Sequence, residues 1–147
     1  MNKIFTMSIA FATFMLLTAS TLTAEIRIPE KYSLNNQLEQ VHKFWRTNLI
    51  DWEDVDNQSL VVETSPGHYY LLVLTVPSYE LPFQWNRIGI TSSGSMIREG
   101  IDSVIVPSGA HFRSTYPIER IYKIDGRQQM RAIIDQLQGK KAKTHID

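Results

Sequence analysis

A nine-residue run, His68-Tyr-Tyr-Leu-Leu-Val-Leu-Thr-Val76, constrains the fold more than any other stretch beyond the first twenty residues. It divides into two faces that are both apolar or amphipathic: Tyr70, Leu72, Leu74 and Val76 on one, and Tyr69, Leu71, Val73 and Thr75 on the other. Successive side chains of a strand point to opposite faces, so this run predicts a central strand covered on both sides. Pro77 ends it, because proline has no N–H to donate to a ladder.

Other strand signals surround this run. Residues 60–64 are rich in β-forming side chains and lead into Ser65-Pro-Gly-His68, whose proline and glycine fit the second and third positions of a type II turn. Further strand-like segments lie at residues 87–91, 95–98, 103–106 and 118–124. The Ser-Ser-Gly between the first two predicts a tight connection. Because short turns and no helices join the strands, we expect about six short strands with antiparallel pairing.

Two helices are predicted, one near each end of the domain. The first, over residues 34–46, has Ser33 as its N-cap and an apolar stripe at i, i+4, i+7 and i+11, formed by Leu34, Leu38, Val41 and Trp45. The second begins at Asp125, where Gln128 completes a capping box, and ends at Gly139. Its apolar stripe is Met130, Ile133, Ile134 and Leu137. The expected fold is α+β: an antiparallel β-meander curled into a sandwich or half-barrel, with a helix near each end.

The first 24 residues have the pattern of a signal peptide. Lys3 precedes an apolar run over residues 4–17, and small, hydroxyl-rich residues follow up to Ala24. The run of about 14 residues suits a secretory signal and is shorter than the ~20 needed for a spanning helix. We expect cleavage after Ala24, with Ser20 as the alternative because Leu22 is large for its position. Residues 25–147 would form a single globular domain, periplasmic or secreted; the alternative is an uncleaved segment tethering it to the membrane.

The 147-residue chain has no cysteine and a formal net charge of zero. Exported small domains commonly contain disulfides, so this one must be stabilised by packing alone. The lack of cysteine excludes thiol nucleophiles and Cys-ligated zinc. No basic tract points to nucleic acid.

The residues that could carry catalysis form no known motif. The four histidines, His42, His68, His111 and His145, have no metal-ligand spacing. The serines around Gly94 do not form a Gly-x-Ser-x-Gly elbow. The acidic run over residues 51–57 lacks the glycine and distal carboxylate of a calcium loop, so we interpret it as a polar turn. We therefore predict no catalytic residue, no metal site and no cofactor.

The aromatic residues are expected mainly in the core, because a domain of this size without disulfides needs them there. Phe83 and Trp85, in the loop over residues 78–85, become binding candidates if they are exposed. Together with His68 and His111, they are the candidate ligand-binding residues.

The segments Tyr69-Tyr-Leu-Leu-Val-Leu-Thr-Val-Pro77, Arg87-Ile-Gly-Ile-Thr-Ser-Ser-Gly94 and Pro117-Ile-Glu-Arg-Ile-Tyr122 resemble a family of small exported bacterial proteins, domain-of-unknown-function family 6491. The resemblance covers about residues 48–124. It implies a cysteine just after the strand-ending proline and another before the last strand, where this chain has Ser78 and Tyr116. If that pair forms a disulfide in the family, this member lacks it. The resemblance implies no activity.

Two functions are compatible with these residues. The first is a non-catalytic binding or structural module that contacts an envelope protein or a small ligand through a sheet face or the loop over residues 78–85. The second is a hydrolase or metal-dependent enzyme whose site assembles only in the folded chain. A pocket that brings His68, His111 and a carboxylate together would favour the enzyme.

Overall fold

A computed structural model describes residues 27–46, 49–84, 87–109 and 111–139. Nine strands, one α-helix and two single 3-10 turns form within these ranges. The 3-10 turns are Glu30–Tyr32 and Leu81–Phe83. The strands and helix are β1 (Glu39–Gln40), β2 (Lys43–Trp45), β3 (Asp51–Asp56), β4 (Ser59–Ser65), β5 (His68–Leu74), β6 (Gly89–Ile90), β7 (Met96–Arg98), β8 (Ser103–Ser108), β9 (Phe112–Asp125) and α1 (Gly126–Leu137).

Seven strands form one antiparallel sheet in the order β3-β4-β5-β9-β8-β6, with β1 also paired to β9. The sheet curls into a half-barrel, and β2 and β7 form a separate two-stranded ribbon. The α+β class is therefore confirmed. Strand β5 lies between β4 and β9, and its residues Leu71 to Leu74 are fully buried. The predicted central strand is thus the middle of the sheet.

The two faces of the sheet support two hydrophobic cores. On one face α1 packs through Met130, Ile133, Ile134 and Leu137 against Leu71, Val73 and Tyr122. On the other face Leu72, Leu74 and Ile121 pack against Phe44 of the ribbon and Leu81 of the second 3-10 turn. The Phe44 ring stacks on that of Tyr70, with centroids 4.1 Å apart. Burial on both faces explains why both faces of β5 are apolar.

The predicted helix over residues 34–46 is wrong. These residues form a turn followed by β1 and β2, which pair with β9 and β7. Leu34 and Leu38 lie in the core beneath α1, Phe44 lies in the opposite core, and the Trp45 side chain is 62% exposed. The apparent helical stripe therefore combines residues that serve different cores.

The connectivity also differs from a simple meander. Strand β9 inserts between β5 and β8, although β6, β7 and β8 precede it in the chain. Strands β6 and β7 form where strand signals were seen, but β6 pairs with β8 and β7 with β2, so the expected hairpin around Gly94 is absent among the described residues. The acidic run is not a polar turn but mostly the edge strand β3, and the turn follows at Asn57 and Gln58.

Local turn chemistry agrees with the sequence more closely. Gly67 has a φ of +80°, as the third residue of a type II turn requires. Helix α1 ends at Leu137, close to the expected stop at Gly139. Its cap differs by one residue, because the Asp125 N–H donates to Oε1 of Gln129 at 2.6 Å rather than to Gln128. In the described ranges, no helix is both long and apolar enough to cross a bilayer.

Candidate binding surface

The structure does not bring the candidate histidines together. His68 is exposed in the β4–β5 turn, where its Nδ1 lies 3.2 Å from the carbonyl oxygen of Pro66, and it pairs opposite Asp125 at the end of β9. His111 is exposed just before β9 begins. At ~3.3 Å per residue, the strand between them corresponds to on the order of 40 Å. A site shared by His68 and His111 is therefore excluded.

The remaining candidates lie on the loop after β5. The Phe83 side chain is 75% exposed, and Tyr79 in the same loop is 79% exposed. Trp85 and His145 lie outside the described residues. The loop itself is anchored, since Ser78 and Leu81 are fully buried and the Leu81 N–H donates to Ser78 Oγ at 3.2 Å. Two large rings are thus held in solvent by a fixed backbone.

Glu80 connects this loop to the β8–β9 hairpin. Its carboxylate accepts hydrogen bonds from the Tyr116 hydroxyl at 2.8 Å and from Ser108 and Ser78 at 3.3 Å each. Gln84 Nε2 adds a 2.9 Å bond to the carbonyl of Pro107. The hydrogen bond from Tyr116 is the main cause that holds the pKa of Glu80 below its ordinary value. Glu80 is therefore a charged acceptor shared by the loop and the hairpin.

Ser78 and Tyr116 stand where the family resemblance implies cysteines. Both side chains donate to the same Glu80 carboxylate oxygen, Oε2. The two positions are thus joined through one carboxylate in this chain.

A third exposed ring lies at the same end of the molecule. Phe112 pairs directly opposite Ser108, so the two side chains share one face of the hairpin, the face on which Ser108 contacts Glu80. The Phe112 side chain is 76% exposed. We name Tyr79, Phe83 and Phe112 the aromatic end. The expectation of a core role is wrong for Phe83 and Phe112, and also for the exposed Trp45.

Basic side chains flank the aromatic end. Arg87 and Arg113 line a shallow depression with Pro107 and Ile105 on the other face of the hairpin. Both arginines are exposed. The end of the hairpin therefore combines aromatic and cationic side chains.

Two further clefts border strand β3. One, of about 350 Å³, lies between the sheet and α1, where the Arg131 guanidinium donates to Glu53 Oε1 at 3.2 Å. The other, of about 570 Å³, is lined by Trp52, Asp54, Pro82 and Gln84 at the side of the aromatic-end loop. Among the described residues, no three His, Asp or Glu side chains are grouped to hold a metal ion. Ser92 Oγ donates to the carbonyls of Gly94 and Met96, which gives it a structural role.

Sequence reasoning found Phe83 and missed Tyr79, Phe112 and Glu80. Phe112 precedes a strand that alternates well only from residue 118, so no local pattern marked its exposure. The signal for Glu80 existed in principle, because an acidic residue followed by Leu-Pro inside a hydrophobic loop is unusual; its partners Ser108 and Tyr116 are 28 and 36 residues away. Only the pairing of β8 with β9 brings them together.

Comparison with known proteins gives a family and no activity. Neither a search of curated proteins nor a search of solved structures returned a match. The model of one protein family, described as a family of unknown function, matches residues 3–140, which is nearly the whole chain. The protein therefore belongs to the family of unknown function DUF6491.

Proposed function

We propose that this protein is an exported, periplasmic or secreted, non-catalytic module that binds its partner through the aromatic end. The observation that carries the proposal is the exposure of Tyr79, Phe83 and Phe112, each about three-quarters accessible, at one end of a domain whose other large side chains fill two cores. Clustered exposed rings mark interaction sites, and aromatic side chains provide much of the binding energy at such sites.

The way the loop is held supports a binding role over a chance exposure. Glu80 fixes the loop to the hairpin through three hydroxyl donors, and Leu81 anchors it in the core beneath. A surface that is ordered before binding loses less conformational entropy when it binds. The aromatic end is therefore preorganised, as an efficient contact surface requires.

Export is proposed on the pattern of the first 24 residues, and two further facts support it. The family match begins at residue 3, so it includes the apolar segment over residues 4–17. The chain is also free of cysteine, so an oxidising compartment would not change its covalent structure. An envelope protein, a small ligand or a membrane surface would then be accessible to it.

Photo-cross-linking in the producing cell tests the proposal. A benzophenone amino acid is placed at Phe83 or Phe112, and at Trp45 as a matched control, because Trp45 is an exposed aromatic residue on the separate ribbon. We expect a discrete cross-linked product from positions 83 and 112 and none from position 45. Identical products from all three positions, or none from any of them, would overturn the proposal.

A second variant tests preorganisation. Glu80→Ala removes the acceptor shared by Ser78, Ser108 and Tyr116 and leaves the rings unchanged. The cross-linking yield from position 83 should fall severalfold while the circular dichroism spectrum of the domain is retained. An unchanged yield would show that the loop does not need to be held in place.

A further inference from the structure

We infer that the surface bound by the aromatic end is an anionic lipid bilayer; this inference rests on the proposed function. Three highly exposed rings occupy two adjacent segments, the loop after β5 and the start of β9. Tyr79 and Phe83 lie on a convex loop anchored from below by Leu81. Rings held outward on convex turns match the headgroup layer of a membrane, where aromatic residues are enriched.

The charges at this end are complementary to anionic headgroups. Arg87 and Arg113 lie together on the other face of the hairpin that carries Phe112. Within the described part of the chain, neither guanidinium forms an ion pair with a carboxylate. Basic side chains next to an anionic bilayer add favourable electrostatic attraction.

The carboxylate nearest to these rings does not oppose such a contact. Both oxygens of Glu80 accept hydrogen bonds from hydroxyl groups of the loop and hairpin, so the carboxylate is occupied within the fold. The other cleft-lining acids, Glu53 and Asp54, belong to β3 and lie beside Pro82 and Gln84. The hairpin side of the aromatic end therefore carries the positive charge, and it is the side that we expect to face the lipid.

A flotation assay with large unilamellar vesicles tests the inference. The full chain is mixed with phosphatidylcholine vesicles that contain or lack phosphatidylglycerol, and all variants are compared in the same processed form so that residues 1–24 contribute equally. The wild type should float with the phosphatidylglycerol vesicles and lose binding as salt is raised. Binding should fall at least about tenfold in Phe83→Ser/Phe112→Ser and in Arg87→Gln/Arg113→Gln, since both apolar contact and charge contribute.

Matched controls separate these effects from general changes to the surface. Trp45→Ser removes an exposed ring from the ribbon, and Arg127→Gln removes an exposed charge from α1; both should float like the wild type. Equal loss of binding in the controls and in the aromatic-end variants would overturn the inference. So would a failure of the wild type to float with either kind of vesicle.

The outcomes also distinguish this inference from the proposed function. If cross-links from positions 83 and 112 lead to a discrete protein and the wild type does not float, the binding module stands and its partner is a protein. If neither cross-linking nor flotation depends on the aromatic end, both proposals fail.

Discussion

At the scale of single residues, Asp56 stabilises the edge of the sheet. Its carboxylate accepts hydrogen bonds from Lys31 Nζ at 2.7 Å, from the Tyr32 hydroxyl at 2.7 Å, and from Ser59 Oγ at 2.9 Å. Burial by itself would raise the pKa of Asp56, but these hydrogen bonds, together with that from the Gln58 N–H, outweigh burial and hold its pKa below the ordinary value. Asp56 thus joins the first 3-10 turn to the β3–β4 turn.

Asp56→Asn is expected to destabilise the protein in a pH-dependent way. A carboxyl group with a depressed pKa in the folded state contributes stability above its unfolded pKa, near 4, and this contribution is lost as the pH falls through the folded pKa. The variant should lose about 2 kcal/mol of unfolding free energy at pH 7, because the Tyr32 and Ser59 hydroxyls lose a charged acceptor. Urea unfolding at neutral and acidic pH measures this, with the exposed Asp135→Asn as control. A difference from the wild type that is as large in acid as at neutral pH would contradict the assignment.

Tyr32 gives the corresponding effect in alkali. Burial, followed by the hydrogen bond to Asp56, raises the pKa of Tyr32 to about 12. A raised pKa stabilises the folded state below the unfolded pKa, about 10, and this stability is lost as the pH rises towards 12. Tyr32→Phe should cost about 1.5 kcal/mol at neutral pH and weaken the alkaline loss. Thermal melts across this pH range, with the exposed Tyr79→Phe as control, decide whether Tyr32 is responsible.

At the scale of elements, the sequence predicted those whose pattern is local. The type II turn at Gly67, the strand at β5 and the apolar stripe of α1 each depend on neighbours within a few residues, and the structure has all three. Strands β1 and β2 are two and three residues long, and their partners lie 84 and 55 residues away in the first pairs of each register. The spacing of Leu34 and Leu38 fits a helix, and only these distant pairings overrule it. The same limit applies to Glu80, whose partners are distant in sequence.

The docking of α1 is the element-scale interaction that is most open to mutation. Ile133 is buried in the core between the helix and the sheet. Ile133→Ala should reduce the unfolding free energy by about 3 kcal/mol, from lost transfer energy and the cavity that remains. Gln136→Ala, on the exposed side of the same helix, should change it by less than about 0.5 kcal/mol. Urea unfolding of the two variants compares them directly; equal stability would mean that the helix is not docked as described.

At the scale of the whole molecule, the binding surface was harder to predict than the fold. The half-barrel follows from the alternation of apolar residues and short turns, which the chain displays along its length. The aromatic end instead depends on which rings the finished cores leave outside. Phe83 and Phe112 have the composition of core residues, and they are exposed because Leu81, Leu74 and Ile118 already fill the space beneath the loop. Sequence alone identifies aromatic residues but not which of them the packing excludes.

The last prediction concerns the form in which the molecule exists. We propose that residues 1–24 are removed on export and that the mature protein begins at Glu25, leaving 123 of the 147 residues. The apolar run over residues 4–17 has the length of a secretory signal, and small residues precede the proposed cleavage site. Intact-mass spectrometry of protein from the producing cell should give the mass of residues 25–147. Replacing Ala24 with Arg should block processing at that site, and a wild-type mass that includes Lys3 would instead support a membrane tether. That result would place the aromatic end beside a bilayer by covalent attachment, so the vesicle experiments would then need the aromatic-end variants to separate its contribution from that of the tether.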